Sequence, residues 1–356
     1  MIKKINLTFF SNSRSEFGLI NQILSEIKKN KKFNYKVILS GTHFSEEYGK
    51  SINEIKKAKV NYIKLFKYNT KISSEINIIE NLSLNTIKLP KIFQSVDYVC
   101  LFGDRIELIP IMLNCLVYNK KIIHFGGGEE TKGSVDNKVR KLISSIADFH
   151  FVSSQKYKSN LIKMGILKNK IFNVGTLSIN KRMIFNKKKN YFSKLKSKNL
   201  VSLTYHPVNI DTQISEIKQI QIILDSLNEF GDEIFTIINA PGYEKNSNKV
   251  ISFIKKWAHK NVNFKFYKSL GISKYSDLLK NSKFLIGNSS SGVIMAPFFK
   301  IPSINIGNRQ EGRVIHNSVI NCKLNKKDII SSIKKILRGN LKNKNKEFEN
   351  KLFYSY

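Results

Sequence analysis

Two loops hold the residues of this 356-residue chain best suited to bind an anion: Gly287-Asn288-Ser289-Ser290-Ser291-Gly292 and Ile306-Gly307-Asn308-Arg309-Gln310-Glu311-Gly312-Arg313. The first follows an apolar strand, Lys283 to Ile286, and leads into a helix expected from about Val293. Small hydroxyl side chains and backbone N–H groups at a helix start favour negative charge, because the helix dipole adds to their hydrogen bonds. The second follows the strand Pro302 to Ile306 and carries Arg309 and Arg313, whose forked guanidinium groups match phosphate oxygens. Together they suit a diphosphate, with Ser289, Ser290, Ser291, Gly292 and Arg313 as its candidate contacts. A Ser/Gly turn beside solvated arginines is the alternative.

A second chemistry is written in acids. Gly103-Asp104-Arg105-Ile106-Glu107 follows the strand Val96–Phe102, and the run Gly126 to Asn137, containing Glu129 and Asp136, follows the strand Lys121–Phe125. Gly126, Gly127 and Gly128 allow backbone to approach a ligand closely. Asp104, Glu129 and Asp136 converge if the strands are neighbours, and clustered carboxylates raise each other's pKa, which suits proton transfer near neutral pH. The competing role for Asp104 and Asp136 is to cap the helices that follow them. His206, after the strand Leu200–Tyr205, is a candidate phosphate contact or acid/base, or else a structural histidine. Arg14, in the loop Ser11 to Gly18, meets the diphosphate from the other side or is solvated. The remaining histidines have no ligand spacing, so no metal is expected.

Strands and helices alternate around these loops. Ile5–Phe10 precedes a helix over Gly18–Lys28, with Leu19, Ile20, Ile23, Leu24 and Ile27 at helical spacing. Tyr35–Ser40 precedes a helix over Glu46–Lys56. Further strands are expected at Phe149–Val152, Ile171–Val174, Ile234–Ile238, Asn263–Tyr267, Phe284–Ile286 and Ser303–Ile306, and a last helix at Lys326–Arg338. This repeated alternation predicts an α/β fold of two doubly wound parallel sheets, joined near residues 175–198. The expected domains are residues 1–180, carrying the acids, and 181–338, binding the nucleotide. The last helix, or the tail 339–356, is expected to pack back on the first domain. Ligands of such proteins sit in a cleft between the strand ends.

Composition narrows the classes. The length favours two cores. The net charge of +35 is spread over a chain rich in Lys, Asn and Ile, with no nucleic-acid-binding signature, so no nucleic-acid partner is expected. The field still steers an anionic substrate inward. Cys100, Cys115 and Cys322 have no paired spacing and are read as reduced thiols. The apolar run near the N-terminus is too short for a signal segment or a membrane span. A cytoplasmic location and no membrane partner are expected.

With the motifs in this order, the chain resembles the hydrolysing UDP-N-acetylglucosamine 2-epimerases, specifically the bacterial sialic-acid-pathway branch. The resemblance reaches to about residue 338. It is carried by Ser13 to Gly18, Gly41 to Ser45, Gly103-Asp104-Arg105, Gly127 to Gly133, Asp136 with Arg140, His206-Pro207 and the two loops named first. It implies a glycosyltransferase-B type fold, two Rossmann-like domains facing a cleft. The implied reaction has two stages. A carboxylate removes the C2 proton as UDP leaves C1, giving a glycal; water then adds, and C2 is reprotonated from the other face. Asp104, Glu129 and Asp136 match the family's acids, and Arg14, His206, Ser290, Ser291 and Arg313 its nucleotide contacts. A nucleotide-sugar substrate, no cofactor, and a homo-oligomer (dimer or tetramer) are implied.

Three positions depart from the family pattern: Gly126 stands where His is usual, Lys141 where His follows Arg, and Met295 where Glu is usual. Met cannot accept hydrogen bonds from ribose hydroxyls as Glu does. The choice of nucleotide and of sugar is therefore open: relatives act on 2,4-diacetamido-trideoxy sugars for legionaminic acid, and some on GDP-linked sugars. The competing functions are a glycosyltransferase of the same fold, a nucleotide-binding paralogue without catalysis, and a basic nucleic-acid-binding protein.

Overall fold

The computed structural model describes residues 4–67, 75–179, 191–192, 195, 198–208, 214–242, 244 and 246–339. These fall into two compact units. Residues 4–129 and 135–178 form one; residues 130–134 and 179–339 form the other.

The first unit is a seven-stranded sheet. Its strands are β1 (Ile5–Ser11), β2 (Phe33–Gly41), β3 (Tyr62–Lys67), β4 (Tyr98–Phe102), β5 (Lys121–Phe125), β6 (Phe149–Val152) and β7 (Ile171–Asn173). They lie in the order β3-β2-β1-β4-β5-β6-β7, and every pairing is parallel. The helices are α1 (Arg14–Ile27), α2 (Ile52–Lys57), α3 (Glu75–Lys88), α4 (Pro90–Phe93), α5 (Ile109–Val117), α6 (Asp136–Ile146) and α7 (Gln155–Lys163). Successive strand residues face opposite sides, so a strand covered on both faces must be apolar throughout. Phe9, Val37 and Leu39 pack with Phe17, Ile20 and Leu24 of α1. Their neighbours Phe10 and Ile38 pack on the other face with Ile111 of α5 and Val139 and Ile143 of α6.

The second unit repeats the plan with six strands: β8 (Asn199–Thr204), β9 (Ile234–Asn239), β10 (Phe264–Tyr267), β11 (Phe284–Gly287), β12 (Ser303–Ile306) and β13 (Val319–Cys322). Their order is β10-β9-β8-β11-β12-β13, again all parallel. Helices α8 (Glu216–Asn228), α9 (Ser247–Lys260), α10 (Gly271–Asn281), α11 (Ser290–Phe298) and α12 (Lys326–Leu337) cover it. In both sheets the strand order reverses beside the first strand, between β1 and β4 and between β8 and β11. Ligands of doubly wound folds bind at the carboxyl ends of strands at such a reversal.

The α/β class and two parallel sheets agree with the sequence reading; several details differ. The helix expected over Glu46–Lys56 is a single 3-10 turn at Thr42–Phe44 and then α2, starting at Ile52. Lys50 turns back to bond Ser45 O with φ at 46°, which ends any earlier helix. The helix expected from about Val293 begins at Ser290. β3 and β13 were not expected. The last described helix, α12, buries Ile329, Ile333 and Ile336 in the core of the second unit, with α8 and β12. The expected tail, from residue 340 on, lies outside the described residues.

Candidate active site

In the first unit the acids gather around one arginine. Arg140, one turn into α6, is almost fully buried because Val139 and Ile143 beside it anchor that face of the helix in the core. Its guanidinium forms an ion pair with Asp104, in the loop after β4. Nη1 also donates to the carbonyl of Glu129 at 3.0 Å, in the loop after β5. The Glu129 carboxylate accepts from Ser153 Oγ at 3.2 Å. Asp136 is the first residue of α6, one turn before Arg140, and is partly exposed. Neither Asp104 nor Asp136 is a helix N-cap: Val135 holds that position for α6, and Asp104 is drawn to Arg140 instead.

Behind Asp104 stands His124. Its Nε2 lies 2.8 Å from Gly103 O, and a carbonyl only accepts, so the proton is on Nε2. Nδ1 is then the acceptor for Ser144 Oγ at 3.1 Å. Burial lowers the His124 pKa to about 4, so the ring stays neutral. The carboxyl held well above its usual range is Glu16, raised to about 7, chiefly by burial. Arg14 sits at the start of α1 and is half-buried.

In the second unit, Gly287 decides the shape of the anion loop. Its φ is +139°, and a Cβ there would lie 1.9 Å from Thr204 O, so only glycine lets β11 end this close to β8. Ser289 then caps α11, its hydroxyl accepting from Ser291 N at 3.4 Å. Ser291 Oγ in turn accepts from Tyr275 OH at 2.8 Å. Ser290 is the first helical residue and half-exposed, while Gly292 is buried, with its carbonyl held by Ser303 Oγ at 2.6 Å. Asn288 ties three strand-end loops together. It exchanges two hydrogen bonds with the backbone of His206, both 2.7 Å, and its carbonyl accepts from Arg309 and Gln310. His206 Nδ1 lies 3.2 Å from Gly242 N and 3.0 Å from Glu244 Oε1; it accepts from the Gly242 N–H or donates to the Glu244 carboxylate according to its tautomer, not both at once. Arg313 is half-buried in the loop after β12.

The second unit also contains an open cavity of about 710 Å³, lined in part by Tyr205, Ile306, Asn308 and Asp328. None of Ser289, Ser290 or Ser291 lines it. The anion-site assignment therefore rests on the start of α11, not on that cavity. Met295 packs with Tyr275 and Phe299 against Leu279, Leu285, Ala296 and Ile301, and brings no acceptor to that helix. Gly126 has φ +85°, a backbone conformation that side chains such as His adopt rarely. Lys141 is exposed.

Sequence reasoning assigned no role to Asn288, Tyr275, Glu244 or His124, nor to Glu16 or Glu107. Asn288 and Glu16 lie inside quoted motifs, and Glu16 follows Ser13 at capping-box spacing, a signal available from the start. All three cysteines are free thiols. No described helix is long and apolar enough to cross a membrane. No cluster of possible metal ligands occurs among the described residues.

The family model described as UDP-N-acetylglucosamine 2-epimerase matches residues 25–355. The GDP/UDP-N,N'-diacetylbacillosamine 2-epimerase (hydrolyzing) of Campylobacter jejuni is 33% identical over 343 residues, covering 92% of this chain and 86% of the relative. Polysialic acid biosynthesis protein P7 of Escherichia coli is 30% identical over 342 residues, covering 93% and 85%. Among solved structures, the UDP-GlcNAc 2-epimerase of Neisseria meningitidis bound to UDP-GlcNAc superposes with a TM-score of 0.76 at 17% identity, covering 94% of this chain and 91% of that one. The match to the family model spans most of the chain, and the chain belongs to the UDP-N-acetylglucosamine 2-epimerase family.

Proposed function

We propose that this chain is a hydrolysing nucleotide-sugar 2-epimerase. It converts a UDP- or GDP-linked 2-acetamido or 2,4-diacetamido sugar to the free 2-epimer and nucleoside diphosphate. The observation that carries the reading is Arg140 holding both Asp104 and the Glu129 backbone one turn beyond Asp136 on the same helix. In this reading Asp104, paired with that fixed cation, acts with its neighbours Glu129 and Asp136 to take a proton from C2 and return one to it. The C2–H electrons form the C1–C2 double bond as the C1–O bond breaks and the diphosphate leaves. Water then adds its hydroxyl to C1, and C2 takes a proton on the opposite face.

The hydroxyls and N–H groups of Ser289, Ser290, Ser291 and Gly292, with Arg313, Arg14 and His206, hold the diphosphate in this reading. Residues 1–180 carry the acids and 181–338 the nucleotide. No cofactor is required, since the elimination and hydration change no oxidation state overall. A 2,4-diacetamido sugar is favoured by the similarity to the Campylobacter relative. The free product feeds the biosynthesis of nonulosonic acids of the sialic or legionaminic kind, in the cytoplasm.

A homo-oligomer fits the exposed apolar residues of the first unit: Ile76, Ile79 and Ile87 on α3, and Leu113, Leu116 and Val117 on α5, two helices that pack together.

The test is incubation with UDP- and GDP-linked 2-acetamido and 2,4-diacetamido sugars in D2O, without any acceptor. Free diphosphate and a free 2-epimer carrying deuterium at C2 are expected. Release that needs an acceptor sugar would identify a transferase, and no release from any sugar would leave a nucleotide-binding protein.

A further inference from the structure

Three ionisable side chains of the first unit have no part in the chemistry just described, yet two of them are buried beside it. Glu16 and Glu107 are 4% and 3% exposed, and Arg105 lies between them. Arg105 Nη2 donates to Glu107 Oε1 at 2.8 Å and Nε to Oε2 at 3.2 Å, a two-point contact that fixes the guanidinium plane. The Nε edge also faces Glu16 Oε1 at 4.0 Å. The other Glu16 oxygen accepts from the backbone N–H groups of Asn12 and Ser13, the latter at 3.1 Å.

Burying two carboxyls beside a half-buried arginine is a poor way to stabilise a fold, since well-packed apolar side chains serve as well or better. What this set does is geometric. Arg105 is the residue after Asp104, and Gly103, the residue before it, has its carbonyl held by His124. The backbone of Asp104 is thus fixed on both flanks. Glu16 also fixes the turn that leads into Arg14. One carboxylate therefore links the loop after β1 to the loop after β4, the two strands that meet where the order reverses.

We propose that Glu16 is a positioning residue, which through Arg105 sets the Asn12–Arg14 turn and Asp104 at a fixed distance from each other. The inference rests on the roles given to Asp104 and Arg14 in the proposed function. Glu107 holds the far side of Arg105 and belongs to the same device.

The test uses Glu16→Gln, Arg105→Lys and Glu107→Gln in the full chain. Turnover is measured with the nucleotide sugar that the wild type uses best, UDP affinity by calorimetry, and folding by the thermal midpoint. In each folded variant kcat should fall roughly 10- to 100-fold, the scale of a small misplacement of a reacting group. Only Glu16→Gln should also raise the Kd for UDP, because only Glu16 touches the Asn12–Ser13 backbone. Lys keeps the charge of Arg105 but not its fork, so Arg105→Lys separates positioning from charge.

A kcat within about twofold of wild type in Arg105→Lys or Glu107→Gln, or an equal rise of the UDP Kd in all three variants, would overturn the proposal. If Glu16→Gln does not fold, Glu16→Asp takes its place, with the same two readouts. A wild type that releases no diphosphate counts against the activity itself. The split in UDP Kd between Glu16→Gln and the other two then decides the present inference, an equal Kd in all three rejecting it.

Discussion

The Arg140 guanidinium is paired with the Asp104 carboxylate, and from the same group Nη1 reaches the Glu129 carbonyl at 3.0 Å. Arg140 is 2% exposed. Removing one member of such a pair leaves the other unmatched at low dielectric. Arg140→Ala should therefore lower stability by about 3 kcal/mol, at the lower end for breaking a buried pair. Urea unfolding measures it, and a loss below about 1 kcal/mol, the level of an exposed pair, would show that Asp104 is satisfied without Arg140.

Replacing each acid by its amide separates catalysis from folding. Asp104→Asn, Glu129→Gln and Asp136→Asn should each cost at least roughly tenfold in turnover; unfolding midpoints should move little in the last two, whereas Asp104→Asn also leaves the buried Arg140 without its carboxylate and lowers stability. Deuterium uptake at C2 resolves the roles further. A variant that still releases diphosphate but no longer exchanges at C2 identifies the acid that returns the proton. Full activity in all three would remove them from the mechanism.

Gly287 should tolerate no side chain. The clash of a Cβ with Thr204 O involves backbone on both sides, so no rotamer change relieves it. Gly287→Ala should destabilise by well over about 1 kcal/mol, beyond the entropic gain from losing a glycine. The hydroxyls of Ser289 and Ser291 should lose their register with it. A variant of wild-type stability and UDP affinity would mean that β11 can move away from β8 without consequence.

Met295 sets an expectation for the nucleotide. A carboxylate gripping the ribose contributes roughly 1.5–3 kcal/mol, whereas here the helix offers a thioether among Tyr275, Phe299 and Leu285. Competition binding should place UDP and its 2'-deoxy analogue within about tenfold of each other, since water replaces the missing acceptor. A preference for UDP much beyond that would point to another side chain as the ribose partner.

Acid should destabilise the fold. Burial lowers the pKa of His43 to about 3 and those of His124 and His150 to about 4, from 6.5. Below pH 6.5 the unfolded chain takes up protons that the folded chain refuses, so stability is lost as pH falls from 6.5 towards 4. Glu16 works in the opposite direction. Its carboxyl is raised from 4.5 to about 7, so its burial costs least when it is protonated and most above pH 7. Three histidines outweigh one carboxyl. Urea midpoints should therefore fall between pH 7 and pH 5, and less steeply in His124→Gln. Midpoints that rise on acidification would show the Glu16 carboxyl outweighing the histidines.

Continuous apolar runs such as Tyr98–Phe102 and Phe284–Ile286 made most strands legible, because strands covered on both faces leave no polar positions. β3 hid because Lys64 and Lys67 break up its short apolar run, and it lies at the edge of the sheet. α3 hid because its apolar residues face outward while Asn81 and Asn85 are buried, the reverse of an ordinary surface helix. At the site, loops with telling residue types could be read, and so could Asp136 with Arg140. What could not be read were contacts made by strand pairing. Glu16 meets Arg105 only because β1 lies beside β4, and Asn288 meets His206 only because β11 lies beside β8.

Every neighbouring pair of strands in both sheets is parallel. No described pair can close through a tight turn, so the two sheets offer the growing chain no hairpin on which to begin. Asn6 must wait for Asp97, 91 residues later, before that edge of β1 is satisfied. Assembly of this kind is slow, and it leaves strand edges open in the partly formed state. Mutual repulsion at a net charge of +35 keeps such half-assembled chains apart during that interval. The lysines spread over this protein thus have a use before any ligand is met: they guard it against its own copies while the sheets are still incomplete.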